Sequence, residues 1–294
     1  NFMKIIKYIF EFASVISLFF IFKIIGLKNA SNIGAILGRL IGPFFRPKEI
    51  VKKNIKIGLG EIDEKKEQEI INSMWSNIGR TFAEYVFLKD FRFNKKNLEY
   101  VKINGLQYLE NIKKSNKPVV FYSGHFANFE LMAMELEKFG IKTAAIYRPL
   151  NNFFLNPMME YFRMKYICSN QIPKGRMGMR EIIKKIANNY SIALMVDQRV
   201  GEGKQINFFN QPAQTTTIPA QIALKYNCKL VPISLKRIKN VNFELTVHQP
   251  YEISKTGNDD QDTHNITLKI NQIVEKMITE NPTQWLWSHN RWKQ

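Results

Sequence analysis

A histidine and a glutamate stand five residues apart in "GHFANFE", the segment from 124 to 130. A neutral imidazole can accept the proton of a hydroxyl nucleophile, and a carboxylate on the other ring nitrogen holds the tautomer that does so. His125 and Glu130 therefore have the residue types of a general-base pair. Five residues of regular helix would turn the two side chains about 140° apart. The pair can meet only if His125 lies in the turn before the helix.

Two interpretations of this segment are open on spacing alone. In the first, Gly124 gives the turn the backbone freedom that it needs, and Asn128 helps to cap the helix that follows. In the second, His125 is a surface histidine, and Glu130 is a first-turn acid favoured by the helix dipole. The elements on either side of the segment have to decide between them.

Polar residues also follow two other apolar runs. "KTAAIY" is followed by Arg148, and "SIALMVD" ends in Asp197, which is followed by Gln198. The carboxyl ends of parallel strands meet at one edge of a sheet, where the sites of α/β proteins form. We therefore expect these residues to share a groove with His125, which follows the apolar run "KPVVFYS".

The residue types at these positions allow several roles. Arg148 is a candidate for binding phosphate or polarising a carbonyl, although a lone solvated arginine is equally common. Arg176 follows Gly175 at the start of a predicted helix, so a helix N-terminus and a guanidinium could hold an anion together. Asp197 is open to three interpretations, as a metal ligand, an orienting group or a turn former.

The alternation of short apolar runs with amphipathic ones predicts an α/β fold. From about residue 100, strands of about six residues alternate with helical patterns, which indicates a mixed, mostly parallel central sheet flanked by helices. "VNFELTVHQPYEI", residues 241–253, alternates in the manner of an antiparallel edge strand. Neither a repeat nor a low-complexity linker divides the chain, so we expect a single catalytic domain over residues 31–294.

The pattern of residues 1–30 predicts a membrane-anchoring helix. "YIFEFASVISLFFIFKIIGL", residues 8 to 27, is almost entirely apolar, but its uncharged core is short for a span of about 20 residues. Lysines and arginines flank the apolar pieces, which suits anionic head groups on the cytoplasmic side. A soluble core helix and a cleaved signal peptide are the alternatives, and the second is disfavoured because no A-x-A-like site follows.

Composition limits the partners. The chain has 294 residues, of which 45% are hydrophobic, enough for a large buried core. The 43 Lys and Arg against 25 Asp and Glu give a formal charge of +18, which predicts attraction to nucleic acid, a phospholipid surface or an acidic carrier protein. Cys168 and Cys228 lie in apolar settings without CxxC spacing, which disfavours a disulfide or a zinc site. No pattern indicates a metal or an organic cofactor.

Six ordered blocks resemble the lysophospholipid acyltransferase superfamily, and within it the bacterial lipid A biosynthesis acyltransferases, the lauroyl and myristoyl transferases of late lipid A assembly. They are "NIGRTFAEY", "GHFANFE", "YRPLNN", "GRMGMREII", "DQRVGEGKQINFFNQPAQT" and "PTQWLWSHNRWK". An isolated H-x4-[DE] would be a weak signal. The blocks together extend over nearly the whole chain, so the resemblance is strong.

The resemblance implies a glycerolipid acyltransferase-like fold with His125 and Glu130 as the catalytic H-x4-[DE] dyad. In this mechanism His125 removes the proton of an acceptor hydroxyl, Glu130 orients and charges the histidine, and the hydroxyl attacks an acyl thioester. Arg148 matches the strand-end arginine of the family, and we expect it to bind a substrate anion or to stabilise developing negative charge.

Further substrate-binding residues follow from the same blocks. Arg176, Asp197 and Gln198 match the later blocks, and we expect them to shape the site and to contact substrate, together with Asn128 in the dyad segment. The family motif commonly reads GH-x-GN-W-E, whereas this chain has Ala127 and Phe129 at two of those places. The fit of the acceptor can therefore differ.

The resemblance also implies substrates and a location. The donor would be an acyl-carrier-protein thioester, and the acceptor a hydroxyl of a 3-hydroxyacyl chain on a Kdo-lipid A precursor in the membrane. The catalytic domain would face the cytoplasm at the bacterial inner membrane, with neither nucleic acid nor a cofactor involved. A basic chain with an apolar N-terminus suits an acidic carrier and a phosphorylated glycolipid.

Two rival functions remain open. The nearest is an acyltransferase of the same superfamily that acts on a phosphatidylinositol mannoside or a lysophospholipid. The glycerolipid branch usually has an NH-x4-D form, and Gly124 and Glu130 in those places argue mildly against it. The other rival is a non-catalytic basic protein that binds membrane or RNA, although RNA binding would favour aromatics interleaved with basic residues on an exposed sheet.

Overall fold

The computed structural model describes residues 2–93 and 99–293. The helices are α1 (Phe2–Ile25), α2 (Leu27–Ile41), α3 (Lys48–Leu59), α4 (Glu64–Glu84), α5 (Leu88–Phe93), α6 (Leu106–Ser115), α7 (Leu131–Lys138), α8 (Leu155–Phe162), α9 (Arg176–Ala187), α10 (Ile218–Tyr226) and α11 (Asp259–Glu280). Helix α4 begins within the charged segment "EIDEKK", residues 61–66. Its N-cap is Asp63, whose carboxylate accepts the Lys66 N–H at 2.8 Å, as expected for an acidic cap.

The strands form a seven-stranded sheet and a separate hairpin. The strands are β1 (Val101–Asn104), β2 (Val120–Ser123), β3 (Thr143–Tyr147), β4 (Asn170–Pro173), β5 (Ser191–Met195), β6 (Lys204–Phe208), β7 (Gln211–Thr215), β8 (Leu230–Lys239) and β9 (Asn242–Val247). The large sheet has the order β1-β9-β8-β2-β5-β3-β4, and β6 pairs only with β7. The strands from β8 to β4 in that order run parallel to one another.

The sheet confirms the expected mixed, mostly parallel α/β architecture with flanking helices. β9 is antiparallel to β8, as its alternating pattern predicted. It is not the edge strand that we expected, because β1 pairs with its outer side in parallel. β1 is only four residues long and partly exposed, so it lacks the apolar run that marks the inner strands.

The central strands are buried on both faces. All four residues of β2 are buried, and successive side chains enter different halves of the core. Phe121 packs with Ala193 and Val231 in one half, whereas Tyr122 and Leu194 belong to the other. This double burial is why parallel strands read as continuous apolar runs.

Close packing between α2 and α4 fixes the N-terminal helices to the sheet domain. A Cβ on Gly79 would collide with the Gly34 carbonyl, and one on Gly38 would collide with the Trp75 carbonyl. Helix α1 packs through Phe19 and Phe22 against Phe82 of α4. The division into an anchor over residues 1–30 and a catalytic domain over 31–294 stays a prediction.

Candidate active site

The loop between β2 and α7 places His125 in the turn before the helix, as the spacing required. Helix α7 begins at Leu131, and no side chain caps it, so the expected Asn128 cap is wrong. Gly124 does not have a positive φ. A Cβ there would lie 2.7 Å from the Phe126 ring and 3.2 Å from Asp197 Oδ2. The glycine is needed for close approach rather than for an unusual backbone angle.

Two other segments hold the middle of this loop in place. Ala127 has a φ of 47°, a left-handed conformation that a non-glycine residue adopts only when its surroundings impose it. Its carbonyl accepts hydrogen bonds from Asn77 Nδ2 at 3.0 Å and Thr81 Oγ1 at 3.2 Å, both on α4. Its N–H donates to the Gln284 carbonyl at 3.1 Å. The loop is therefore fixed between α4 and the C-terminal segment.

The carboxylate that holds His125 is Asp197. Strand β5 lies beside β2 with Ser123 opposite Met195, so the residue two positions beyond β5 lies beside the turn that follows β2. Asp197 Oδ1 is 2.7 Å from His125 Nδ1, and Oδ2 accepts the His125 backbone N–H at 2.8 Å. Trp285 Nε1 donates to the same Oδ2 at 2.7 Å.

These contacts determine which ring nitrogen of His125 carries the proton. Burial would raise the pKa of Asp197, but interaction with His125 and the hydrogen bonds from His125 and Trp285 hold that pKa well below its usual value. An ionised carboxylate can only accept hydrogen bonds, so His125 Nδ1 must be the donor. Nε2 then keeps its lone pair, and it has no hydrogen-bond partner within the part of the chain that the structure describes. This is the tautomer of a general base.

Glu130 has a different partner from the one we expected. Its Oε1 accepts hydrogen bonds from Arg163 Nη2 at 2.7 Å and Nε at 3.1 Å, and from the Tyr85 hydroxyl at 3.2 Å. Among the residues described by the structure it forms no hydrogen bond with His125. The expectation that Glu130 orients the histidine is thus corrected, because Asp197 on the neighbouring strand occupies the ring nitrogen that an orienting carboxylate must reach.

The pair of Glu130 and Arg163 is nearly buried and strongly coupled. Burial disfavours the charged guanidinium, but the charge of Glu130 and its hydrogen bonds more than offset this and raise the pKa of Arg163. Burial and the charge of Glu130 likewise raise the pKa of Tyr85 well above its usual value. Arg163 opens a short π-helical turn, Arg163–Ile167, directly after α8, and such turns are frequent at functional sites.

A second buried ion pair lies under the loop. Arg237 donates to both carboxylate oxygens of Glu84, at 2.5 and 3.0 Å, and its Nε donates to Asn77 Oδ1 at 3.0 Å. Glu84 is completely buried, and it also accepts Asn128 Nδ2 at 2.9 Å. Asn128 is therefore tied to the support of the loop.

Two cavities meet at His125. The first has a volume of about 210 Å³ and the second of about 350 Å³. Both are lined by His125, Phe129, Glu130, Arg163 and Gln198.

The linings of the two cavities differ in character. The first cavity adds the cations Arg148, Lys174 and Arg199 to a lining that is otherwise mainly apolar, and these cations form no ion pair with other residues in the described ranges. The second adds mainly apolar side chains of α4, α8 and the C-terminal segment, which include Ile78, Phe82, Met159 and Leu286. One side of His125 thus suits an anionic group, and the other suits a hydrocarbon chain.

The predicted site residues are only partly gathered here. Arg148 lines the first cavity and Gln198 lines both. Asp197 is buried behind His125, and among the described residues neither Asp197 nor Asn128 lines either of these two cavities. Asp197 binds His125 and Asn128 binds Glu84, and the substrate contact of both residues stays a prediction. Arg176 begins α9, but its side chain lies outside the described part of the structure.

Several residues of the site have no local signal in the sequence. Arg163 lies within an ordinary amphipathic pattern, and Trp285 and His289 belong to a block to which we assigned no role. His289 Nε2 accepts the Arg199 N–H at 3.0 Å, and burial lowers the pKa of His289 to about 4. This histidine is neutral at pH 7, and it ties the segment after β5 to the C-terminal segment.

The fold and the site together have the geometry that a general-base enzyme requires. A histidine held by a buried carboxylate at the carboxyl edge of a parallel sheet can deprotonate a hydroxyl, and adjoining cationic and apolar cavities suit a substrate with both characters. The family model for bacterial lipid A biosynthesis acyltransferases matches residues 2–294. The chain belongs to this family, and the enzyme is an acyltransferase.

Characterised relatives of the chain are consistent with this assignment. A lipid A biosynthesis acyltransferase of Haemophilus influenzae is 27% identical over 254 residues, which cover 83% of this chain and 76% of the relative. The lipid A biosynthesis lauroyltransferase of Escherichia coli is 22% identical over 268 residues, 89% of this chain and 84% of the relative. The myristoyltransferase of the same organism is 22% identical over 262 residues, 87% of this chain and 77% of the relative.

Proposed function

We propose that this enzyme transfers a fatty acyl chain from an acyl-carrier-protein thioester to a hydroxyl of a 3-hydroxyacyl chain on a Kdo-lipid A precursor. The observation that carries the proposal is His125 itself. Its ring is held through Nδ1 by buried Asp197, and it lies between a cavity with three cations of its own and a cavity whose lining is mainly apolar. A phosphorylated, acylated glycolipid has both of these chemical characters.

In the proposed reaction, His125 Nε2 takes the proton of the acceptor hydroxyl as the hydroxyl oxygen attacks the thioester carbonyl carbon. Asp197 stabilises the imidazolium that forms. The tetrahedral intermediate collapses to the ester and releases the carrier thiolate, which recovers the proton from His125. A hydroxyl is a poor nucleophile without such a base, and this route needs no acyl-enzyme intermediate.

We assign Arg163 to the negative charge that develops on the thioester oxygen. Its Nη1 is buried and has no hydrogen-bond partner within the described residues, and its side chain lines both cavities beside His125. A preorganised donor in a nearly dry site stabilises an oxyanion strongly. In this assignment Glu130 holds the guanidinium in position and remains essential without touching His125.

The remaining cavity residues are assigned to substrate binding. Arg148 would bind an anionic group of the substrate in the first cavity, and Gln198 would contact the reacting groups where the cavities meet. Acyl carrier protein would be the donor and a membrane glycolipid the acceptor. We place the catalytic domain on the cytoplasmic face of the bacterial inner membrane, where the positive surface suits anionic lipid.

The test is an in vitro assay of purified enzyme with acyl-carrier-protein thioesters of several chain lengths. Parallel reactions contain a Kdo-lipid A precursor, a lysophospholipid or a phosphatidylinositol mannoside as acceptor. We expect one added acyl ester on the lipid A precursor and none on the other two. Efficient acylation of another acceptor, with none on the precursor, would contradict the proposal.

Deletion of the gene in the native host provides a second test. Mass spectrometry of lipid A should then show the loss of one secondary acyl chain, restored by the wild-type gene. Lipid A that is unchanged in the deletion strain would count against this acceptor.

A further inference from the structure

The outer face of α1 is apolar along its whole length and covered by nothing in the described structure. One stripe of the helix faces the protein and the other faces outward. The exposed large apolar side chains of the outer stripe are Phe2, Met3, Ile5, Ile6, Ile9, Phe10, Ile16, Phe20, Ile21 and Ile24. Such a continuous apolar surface marks an interaction site.

The inner stripe of α1 is docked on the catalytic domain. Near the N-terminal end, Tyr8 packs edge-to-face on Phe153 with ring centroids 5.6 Å apart. Asn152 Nδ2 donates to the Tyr8 carbonyl at 3.0 Å and to Glu11 Oε2 at 2.9 Å. Asn152 is buried and lies four positions after Arg148, so the segment that follows the cationic cavity also holds the helix.

The docking continues to the C-terminal end of the helix. Phe19 packs on Phe82 with ring centroids 5.1 Å apart. Lys23 forms an ion pair with Asp90 at 3.3 Å and lies 4.7 Å from the centre of the Phe87 ring. Protein contacts therefore run from residue 8 to residue 23, over about 22 Å at 1.5 Å per residue.

This docking conflicts with a helix that crosses the bilayer, although α1 is long and apolar enough by composition to do so. The hydrocarbon core of a membrane is about 30 Å thick. Within the described residues, the part of α1 before Tyr8 has no contact with another element, and it reaches roughly 10 Å. A spanning orientation would draw the polar contacts of Asn152 and Asp90 into the hydrocarbon, where unsolvated polar and charged groups are costly.

The charges of α1 suit a helix in the plane of the membrane. Lys4 and Lys7 stand near its beginning and Lys28 stands just beyond its end, whereas Lys23 is paired with Asp90 and Lys7 lies 3.8 Å from Glu11. Glu11, its single acid, is bonded by Asn152. Lys4 and Lys28, at the two ends of an in-plane helix, can reach the phosphates of one leaflet, whereas a span would send one of them to the opposite side.

We propose that α1 lies in the interface of an anionic phospholipid leaflet, with its outer stripe in the acyl region and both of its ends on the same side as the catalytic domain. Asn152, which holds α1, lies in the chain between Arg148 of the first cavity and Met159 of the second, so the segment that docks the helix also contributes to both cavities. A lipid substrate would enter from that leaflet without leaving the membrane.

The direct test is labelling of single cysteines with a membrane-impermeant maleimide, in a Cys168→Ser/Cys228→Ser background. Cysteines replace Lys4, Lys28 and Glu202, the last in an exposed loop of the catalytic domain. Labelling is compared between sealed vesicles of the two opposite orientations. We expect all three positions to react from one side only. Labelling of Lys4→Cys from the opposite side, or from neither side, would overturn the proposal.

Vesicle flotation of purified protein tests whether the outer stripe of α1 binds an anionic lipid surface or packs against a second copy of the chain. We expect binding to vesicles that contain phosphatidylglycerol, and a partition coefficient at least tenfold lower for Phe10→Asp/Phe20→Asp. Ile238→Asp, an exposed aliphatic residue on β8, is the matched control and should bind as the wild type does. Failure to float, with a stable dimer in solution, would assign the outer stripe to a second copy instead. Neither assay requires turnover, so both are independent of the proposed reaction.

Discussion

Two carboxylates near His125 have separate tasks at the residue scale. Asp197 binds the ring and the backbone of the histidine, whereas Glu130 binds Arg163 and Tyr85. The H-x4-[DE] spacing therefore brings the histidine and the acid to the same two cavities without joining them. In the proposed mechanism Glu130 acts on the substrate by positioning Arg163, and Asp197 acts by orienting His125, the base.

Replacement of Asp197 by Asn should lower kcat by roughly 10³- to 10⁴-fold with little change in KM. An amide can donate to Nδ1, which favours the wrong tautomer of His125, and it carries no charge to stabilise the imidazolium. Steady-state kinetics on the lipid A precursor measure the effect. A variant that kept a tenth of the wild-type kcat would remove Asp197 from the mechanism.

His289 should make the fold less stable in mild acid. Its folded pKa is about 4, against an ordinary value of 6.5, so between these values the unfolded chain binds a proton that the folded protein does not. Stability is therefore full above pH 6.5 and is lost as the pH falls toward 4, by roughly 1–2 kcal/mol at pH 5.

The measurement is urea unfolding at pH 7 and pH 5 for the wild type and for His289→Gln, whose amide oxygen can still accept the Arg199 N–H. We expect a smaller loss of stability in the variant. An equal loss in both proteins would show that another group carries the pH dependence.

Helix α4 supports the site at the element scale. It supplies Asn77 and Thr81 to the Ala127 carbonyl, and it supplies Glu84 to the buried pair with Arg237. The block "NIGRTFAEY" therefore contains structural supports of the catalytic loop, and Tyr85 at its end contacts Glu130.

Replacement of Glu84 by Ala should destabilise the protein by about 3–5 kcal/mol, because it leaves the charge of Arg237 buried without a partner. Thermal or urea unfolding measures the loss. Glu280→Ala, at an exposed pair on α11, is the control and should change stability by about 0.5 kcal/mol or less. A similarly small effect at Glu84 would mean that water reaches Arg237.

Local patterns predict the inner strands well and the outer elements poorly. β2, β3, β5 and the first half of β8 are mainly apolar because they are largely buried on both faces. β1 and β4 have four residues each and are partly exposed, so their sequences carry little periodicity. The β6–β7 hairpin turns at Phe209 and Asn210, both with positive φ, and a phenylalanine is not a typical residue for such a turn.

The position of the base is predictable, but its partner is not. A strand followed by glycine and histidine places His125 at the sheet edge, and the structure agrees. Asp197 lies 72 positions further along the chain, and it reaches His125 only because β5 pairs with β2. The order of strands in a sheet is a long-range property, which local spacing does not report.

At the scale of the whole molecule, net charge is expected to affect recognition of the acyl donor, the acyl carrier protein. A formal charge of +18 should speed encounter with an acidic carrier protein, and salt screens such attraction over about 8–10 Å at 0.1–0.15 M. We expect KM for the acyl-carrier-protein thioester to rise severalfold between 50 and 300 mM salt, with kcat nearly constant. Kinetics on a short acyl thioester without the carrier are the control, and an equal rise there would exclude recognition of the carrier by charge.

The most direct test of the account is turnover of His125→Ala with an acyl-carrier-protein thioester and a Kdo-lipid A precursor. His125 is the proposed base, and its side chain is 17% exposed at the junction of the cavities, so truncation should leave the fold and vesicle binding intact. We predict that transfer falls at least 10³-fold, since the variant lacks the proposed base. Transfer at a rate close to that of the wild type would contradict the account.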